Sequence, residues 1–377
     1  MVVLPRITLD MFMTAGLGVL ALMAGMFFTR RIPALKRLCI PVPVSGGLAV
    51  SLIALLCHLV WGVDFIYDGS VKDLCMMLFF TSVGFQSDFS LLKKGGKPLL
   101  VMIALVALLI VSQNFLALGL AGALGLDPLV GMASGSIPMC GGHGTAGGFS
   151  PLLEQMGLGN SSSITMAAAT FGLVAGSLIG GPLGELLVRK HRLAQEGESG
   201  EEVRSVEATE AAEEKRGANP HSEEKSFRRY TQALCQLFFA MAGGMLVSKL
   251  LALSGITFPT YFGALLVAAL IRNIPGATRK ILCVGEVVSI GNICLLLFLG
   301  MAMATLKLWE LSGLVLPLLL ILLCQGVFMI IYAWLLAFRV LGRDYDAAVL
   351  VSGLCGFGLG ATPNAMANMS AVCYKYR

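Results

Sequence analysis

The chain has 377 residues, of which 56% are hydrophobic and 13% charged, with a formal net charge of +5. Soluble chains carry roughly 25% charged residues, and here 10 of the 22 acids and 9 of the 27 bases crowd into residues 189–229, leaving 12 acids and 18 bases for the other 336 positions. Such a composition excludes a cytosolic enzyme, a nucleic-acid binder working through a basic face, and a disordered chain.

A helix crossing about 30 Å of hydrocarbon at 1.5 Å per residue needs roughly 20 residues. Uncharged runs near or above that length cover Met11 to Thr29, Leu38 to Val63, Pro98 to Leu126 and Gln155 to Gly184, with a weaker run from Leu74 to Leu92 that only Asp88 interrupts. A basic cluster follows the first run, the reverse of a secretory signal, so that run is read as a retained span. Residues 189–229, rich in Glu, Ala, Ser and Gly, are too polar to span and are expected to form a disordered or loosely helical linker. After them come Tyr230 to Ser248, Leu250 to Ile271, Val287 to Leu306 and Leu311 to Phe338. The sequence thus predicts five spans before the linker and four after it. The ten cysteines are scattered singly with no CxxC pair, which reads as apolar packing rather than disulfides or a metal site.

Basic residues set the orientation. With the N-terminus outside, fourteen bases fall on the inner side: Arg30, Arg31, Lys36, Arg37, Lys93, Lys94, Lys97, Arg272, Arg279, Lys280, Arg339, Arg343, Lys375 and Arg377. The outer side keeps four, Arg6, Lys72, Lys249 and Lys307. The net positive charge is therefore a topology signal that needs no anionic partner, and the linker lies inside.

Five spans is an odd number, so a second half that copies the first must be inverted. Leu74 to Phe80 (LCMMLFF) resembles Ile293 to Leu299 (ICLLLFL) at an offset of 219, and the same offset carries Asp127 onto Asp346, each heading a glycine-rich stretch. The expected fold is therefore all-α and membrane-embedded, an inverted repeat of about five plus five transmembrane helices, here five plus four. Its parts are residues 1–188, the linker 189–229, and residues 230–377.

Two uncharged stretches are too rich in glycine for ordinary helices. Residues 128–153 hold seven glycines, densest in Cys140-Gly141-Gly142-His143-Gly144-Thr145-Ala146-Gly147-Gly148, and the second half offers Gly356-Phe357-Gly358-Leu359-Gly360-Ala361-Thr362-Pro363-Asn364. Glycine at this density breaks a helix, Pro363 removes a donor, and backbone freed at membrane depth must be buried in protein or line a wet cavity. Each stretch, about 128–153 and 347–370, is read as a re-entrant hairpin, the first entering from outside and the second from inside. Their tips, centred on Thr145 and Thr362, are expected to meet near the midplane.

Such tips suit an anion on helix N-termini and loose N–H groups, and a small cation on unwound carbonyls. Neither stretch contains Lys or Arg near its glycine run, so a bound carboxylate would rest on Gly141, Gly142, Gly144, Gly358 and Gly360 with the side chains of Ser136, Thr145, Thr362 and Asn364. Asp88, Gln113, Asn114 and His143 are candidate ion or polar-core residues. Gln113 and Asn114 either touch solute or join helices. His143 beside Cys140 is too small a set for a metal and is expected to bond the opposite hairpin. Glu286 and Asp88 read as interfacial charges, Asp127 and Asp346 as caps of the first half-helices, and Gly172, Gly176 and Gly180 as a close-packing face.

Gly-Gly-His-Gly-Thr (141–145), Ala-Thr-Phe-Gly-Leu-Val (169–174) with Gly180-Gly181-Pro182, Leu-Lys-Leu-Trp-Glu-Leu (306–311) and Cys-Gly-Phe-Gly-Leu-Gly-Ala-Thr-Pro (355–363) resemble the bacterial sodium/glutamate symporter family. The likeness runs along nearly the whole chain outside the linker. It implies sodium-coupled glutamate uptake across the inner membrane, ten spans with two re-entrant loops, and a cytoplasmic linker. Cys140 and Asn364 stand where a small hydroxyl residue is expected. The family pattern continues into a final helix after the second hairpin, whereas this sequence stops at Arg377, so a tenth span is expected to be absent.

The implied partners are L-glutamate or a similar small carboxylate, sodium as the coupling ion, the lipid bilayer and a second copy of the chain, with no nucleic acid, no cofactor and no resident metal. Proton coupling or another small carboxylate are alternatives within transporters. A passive pore lined by the two hairpins is a further reading, and so is a membrane enzyme with His143 as base, although no nucleophile and acid pair accompanies it.

Overall fold

The computed structural model describes residues 6–33, 35, 41–90, 96–193, 220–253, 259, 261–274, 281–311 and 313–376. Most of the expected linker lies outside the described residues, as do Lys36, Arg37, Cys39, Lys93, Lys94, Arg279, Lys280 and Arg377.

The helices in chain order are α1 (Met11–Arg31), α2 (Val42–Trp61), α3 (Ser70–Gln86), α4 (Gly96–Ala123), α5 (Pro128–Ser134), α6 (Ser136–Gln155), α7 (Ser161–His191), α8 (Pro220–Ala252), α9 (Phe262–Asn273), α10 (Val284–Ala304), α11 (Val315–Ile331), α12 (Tyr345–Leu359) and α13 (Thr362–Tyr376). A π-helical stretch, Tyr332–Ala337, carries α11 on to Val340. Among the described residues seven helical segments are long and apolar enough to cross a membrane: α1, α2, α4, α7, α8, α10 and α11 with its extension. Large apolar side chains such as Phe12, Leu59, Phe115 and Leu316 point outward, as the lipid-facing surface of a multi-pass membrane protein requires.

Local chemistry explains the ends. Asp10 caps α1 by accepting from the Met13 N–H at 2.8 Å, Pro41 and Pro43 open α2, and Gly62 closes it in the left-handed region at φ 65°. Asp127 caps α5 through the Leu129 N–H at 2.8 Å. In the second half the cap is Asp344, which accepts from the Ala347 N–H at 2.7 Å, and not Asp346, which is exposed in the first turn of α12. The 3.6-residue turn decides this, because a carboxylate reaches the N–H two or three positions ahead only from the last non-helical residue.

Other boundaries also differ from the sequence reading. The run expected to split at Lys249 continues as helix to Ala252, and the following helix is only 12 residues long. The all-α expectation also missed two short strands, Arg6–Leu9 and Asp64–Tyr67, which pair in parallel with Arg6 opposite Asp64. Four residues are too few for an alternating pattern to register.

Two hydrophobic clusters organise the molecule. One joins α4 to α7 with α11 to α13, the other joins α2, α3 and α8 to α10. Helix α1 seals the second body: a Cβ on its Gly18 would strike Met301 of α10, and one on Gly46 of α2 would strike the Ala21 carbonyl of α1. The two bodies meet along α6, where Gly147 leaves room for Phe298 and Gly148 for Tyr261 and Phe80. Phe80 and Tyr261 stack with ring centroids 3.7 Å apart.

Candidate functional site

Helix α7 has 31 residues and is about 46 Å long at 1.5 Å per residue; it is the ruler against which both glycine stretches can be read. Along its first half it meets α6 in reverse order. Glu154 accepts from Ser161 at 3.2 Å, Ser150 bonds Thr165 at 2.9 Å, and His143 bonds Thr170 at 3.0 Å. Along its second half it meets α13 in forward order. Asn364 donates to the Leu173 carbonyl at 2.8 Å, Asn368 to the Gly176 carbonyl at 3.0 Å, and Arg189 to the Tyr376 hydroxyl at 2.7 Å.

Each stretch folds back on itself. In the first, the backbone breaks at Gly142, with φ 60° and ψ −152°, and Thr145 then donates to the Ile137 carbonyl at 2.7 Å. A continuous helix would place residues eight apart about 12 Å from each other, so the chain has reversed. In the second, the break falls at Gly360 and Ala361 between α12 and α13. Cβ atoms built on Gly353 and Gly356 would meet Met369 and the Ala365 backbone, which pairs the two helices antiparallel. The reversals lie at Gly142 and Gly360, two or three residues before Thr145 and Thr362, because only glycine adopts the backbone angles seen at 142.

The breaks touch. A Cβ on Gly142 would lie 3.0 Å from the Gly360 carbonyl oxygen and 3.3 Å from the Ala361 Cβ. Both face residues 170–173 of α7, halfway along its uncharged run: His143 reaches Thr170, and a Cβ on Gly172 would meet the Leu359 carbonyl and, at 3.3 Å, the Met139 sulfur. Two helix N-termini, at His143 and Thr362, and two C-termini, at Gly141 and Leu359, converge there.

A buried polar brace ties the breaks together. Gln113 of α4 is fully buried; its Nε2 donates to the Gly358 carbonyl at 2.7 Å, and its Oε1 accepts from the Cys140 thiol at 3.1 Å. Gln325 of α11 donates to the Gln113 carbonyl at 2.8 Å, while its own Oε1 is buried without a partner among the described residues. Asn114 accepts from the Ser136 N–H at 2.8 Å.

The structure therefore sorts the expected residues. Gly141, Gly142, Gly144, Thr145, Gly358, Gly360, Thr362 and Asn364 gather at the two breaks, with Ser136 one to two turns before the first. Thr145 and Asn364 are engaged with backbone carbonyls, and the Gly358 carbonyl already accepts from Gln113. His143 bonds Thr170 of α7 and not the opposite hairpin, since its side chain leaves the turn on the side of the long helix. Asp88 is remote, paired with Arg272 at 3.3 Å, and Glu286 pairs with Arg229 at 2.6 Å. Among the described residues no cluster of His, Cys, Asp or Glu could hold a metal ion.

Thr170, Asn368 and Gln325 were missed. Gln325 had a signal: it interrupts the apolar run of α11 as Gln113 interrupts that of α4. Thr170 and Asn368 had none, because a single polar residue beside small residues marks no partner.

Comparison with known proteins places this geometry in a lineage. The family model described as sodium/glutamate symporter matches residues 7–377. The chain is 38% identical to a sodium/glutamate symporter of Escherichia coli (strain K12), with 98% of this chain and 90% of the relative covered. The same figures hold for a sodium/glutamate symporter of Shigella flexneri. A sodium/glutamate symporter of Haemophilus influenzae is 35% identical over 98% of this chain and 90% of its own length.

Proposed function

The chain belongs to the sodium/glutamate symporter family, and from that premise we propose that it carries glutamate inward across the inner membrane, driven by sodium, by exposing one central site to each face in turn. The observation that carries the reading is the contact between Gly142 and Gly360 halfway along α7. Helix N-termini carry partial positive charge and free N–H groups, C-termini partial negative charge and free carbonyls. Where two of each converge in a low-dielectric interior, a carboxylate and a sodium ion are both stabilised without a cationic side chain.

In this reading residues 1–188 and 230–377 are inverted copies, each with a re-entrant hairpin, and the chain acts as a homodimer with its N-terminus periplasmic and its linker cytoplasmic. The backbone of Gly141, Gly142, Gly144 and Gly360 and the hydroxyls of Ser136 and Thr362 contact solute or ion. Thr145, Asn364 and the carbonyl of Gly358 hold the breaks in shape, with Gln113 and Asn114 bracing them from α4.

Movement is supported by the seam between the bodies. Gly144, Gly147 and Gly148 present bare backbone to Phe79, Phe298, Tyr261 and Phe80. Because these positions carry no side chains, the rings rest directly on the α6 backbone, and this seam is where one body would shift against the other.

One sodium moving with monoanionic glutamate transfers no net charge. A second cation transfers one, which adds about 2.3 kcal/mol per 100 mV, or roughly fortyfold accumulation. The reading therefore includes at least two coupled cations. Proteoliposomes containing the purified chain test it: labelled glutamate should accumulate only with an inward sodium gradient, and faster when the interior is made negative. Equilibration without accumulation would point to a pore, and uptake indifferent to potential would remove the second cation.

A further inference from the structure

Toward the Ser161 end of α7 lies a cavity of about 360 Å³ between the two bodies. It is lined by Lys72 from the first turn of α3, with Asp68 just before that helix, by Lys307 after α10, and by Glu154 from the end of α6 with Asn160, Ser162 and Ser163 at the start of α7. Only four bases outside residues 189–229 fall on the outer side by the charge asymmetry of the loops, and two of them line this cavity. Its walls carry both signs of charge, and Glu154 is held in place by the Ser161 hydroxyl at 3.2 Å. At roughly 30 Å³ per water the space equals about twelve waters, enough for an amino acid of ten heavy atoms with part of its hydration.

Ser162 precedes Thr170 by eight residues, about 12 Å along the helix, farther than a five-carbon dicarboxylate extends. A solute in this cavity therefore does not touch the Gly142 and Gly360 breaks. We propose that the cavity is a separate outer capture site for an acidic amino acid, with Lys72 and Lys307 on its carboxylates and Glu154 facing its ammonium group. The two lysines balance the carboxylates of Asp68 and Glu154, so the cavity would hold the solute by matching charge to charge and not by a net positive field. The inference takes its substrate class from the proposed function.

The test needs no transport. In reconstituted full-length protein, Ser162→Cys is labelled from outside with a membrane-impermeant thiol reagent, and labelling of the parent chain is subtracted. Glutamate should slow the labelling, Lys72→Gln with Lys307→Gln should abolish that protection, and Lys72→Arg with Lys307→Arg should keep it. In the uptake assay the glutamine pair should raise KM about tenfold, and more at low ionic strength, where the remaining Asp68 and Glu154 repel the anion, while Vmax stays the same; Lys249→Gln should change neither readout. No protection by glutamate, or protection that survives the glutamine pair, overturns the capture site. Failure of sodium-driven uptake by the parent chain would instead overturn the symport reading, and the labelling result stands apart from it.

Discussion

Replacing Gly142 with alanine adds one methyl group at the point where the two broken helices touch. The backbone there has φ 60° and ψ −152°, a region essentially confined to glycine, so any side chain costs about 1–3 kcal/mol. The new Cβ would also stand 3.0 Å from the Gly360 carbonyl oxygen and 3.3 Å from the Ala361 Cβ. Neither obstacle is a flexible side-chain end that can swing aside, so the opposing break must move by a few tenths of an ångström. Because about 1.4 kcal/mol corresponds to a factor of ten, Gly142→Ala should cut sodium-driven glutamate uptake at least tenfold and lower the melting temperature in detergent. Gly181→Ala is the control, since its Cβ meets nothing within 4 Å and alanine favours helix by up to about 1 kcal/mol. If Gly142→Ala transports and melts like Gly181→Ala, the contact between the breaks has no functional weight and the proposed site is wrong.

Gln113→Leu removes the amide donor to the buried Gly358 carbonyl and leaves the Cys140 thiol only its long contact to that carbonyl at 3.8 Å, which should cost about 1–3 kcal/mol. Uptake should fall roughly tenfold with it; unchanged uptake and melting would remove Gln113 from the brace. Gly180→Ala drives a methyl group into the Asn368 carboxamide and the Ser352 carbonyl. Overpacking of this kind costs about 1–3 kcal/mol, seen as a lower melting temperature than that of Gly181→Ala. Two of the ion pairs should separate by exposure. Arg229 is 60% exposed although its partner Glu286 is only 15% exposed, so the cation left by Glu286→Gln is solvated and the change should cost about 0–1 kcal/mol. Asp88 and Arg272 are 12% and 19% exposed, so Asp88→Asn should destabilise more, toward the 3–5 kcal/mol of a broken buried pair. The reverse order in thermal unfolding would refute that ranking.

Much of this protein could be read from residue order alone, because lipid imposes a one-dimensional rule: about 20 uncharged residues make a crossing helix, and glycine-dense runs interrupt one. Of the nine spans that rule predicts, seven are helices long and apolar enough to cross among the described residues, while the runs 74–92 and 250–271 give helices of 17 and 12 residues; the backbone breaks fall inside 128–153 and 347–370 as glycine density requires. What the sequence could not decide is which groups meet. Whether Gln113 touches solute or joins helices, which aspartate caps α12, and where His143 points depend on helix rotation and on partners up to 245 residues away, as in the bond from Gln113 to Gly358. A polar side chain in an apolar run announces that it needs a partner, since an unpaired donor in a low-dielectric interior is costly. Only the tertiary structure names that partner, because hydrogen bonds form over about 3 Å while hydropathy averages over whole turns.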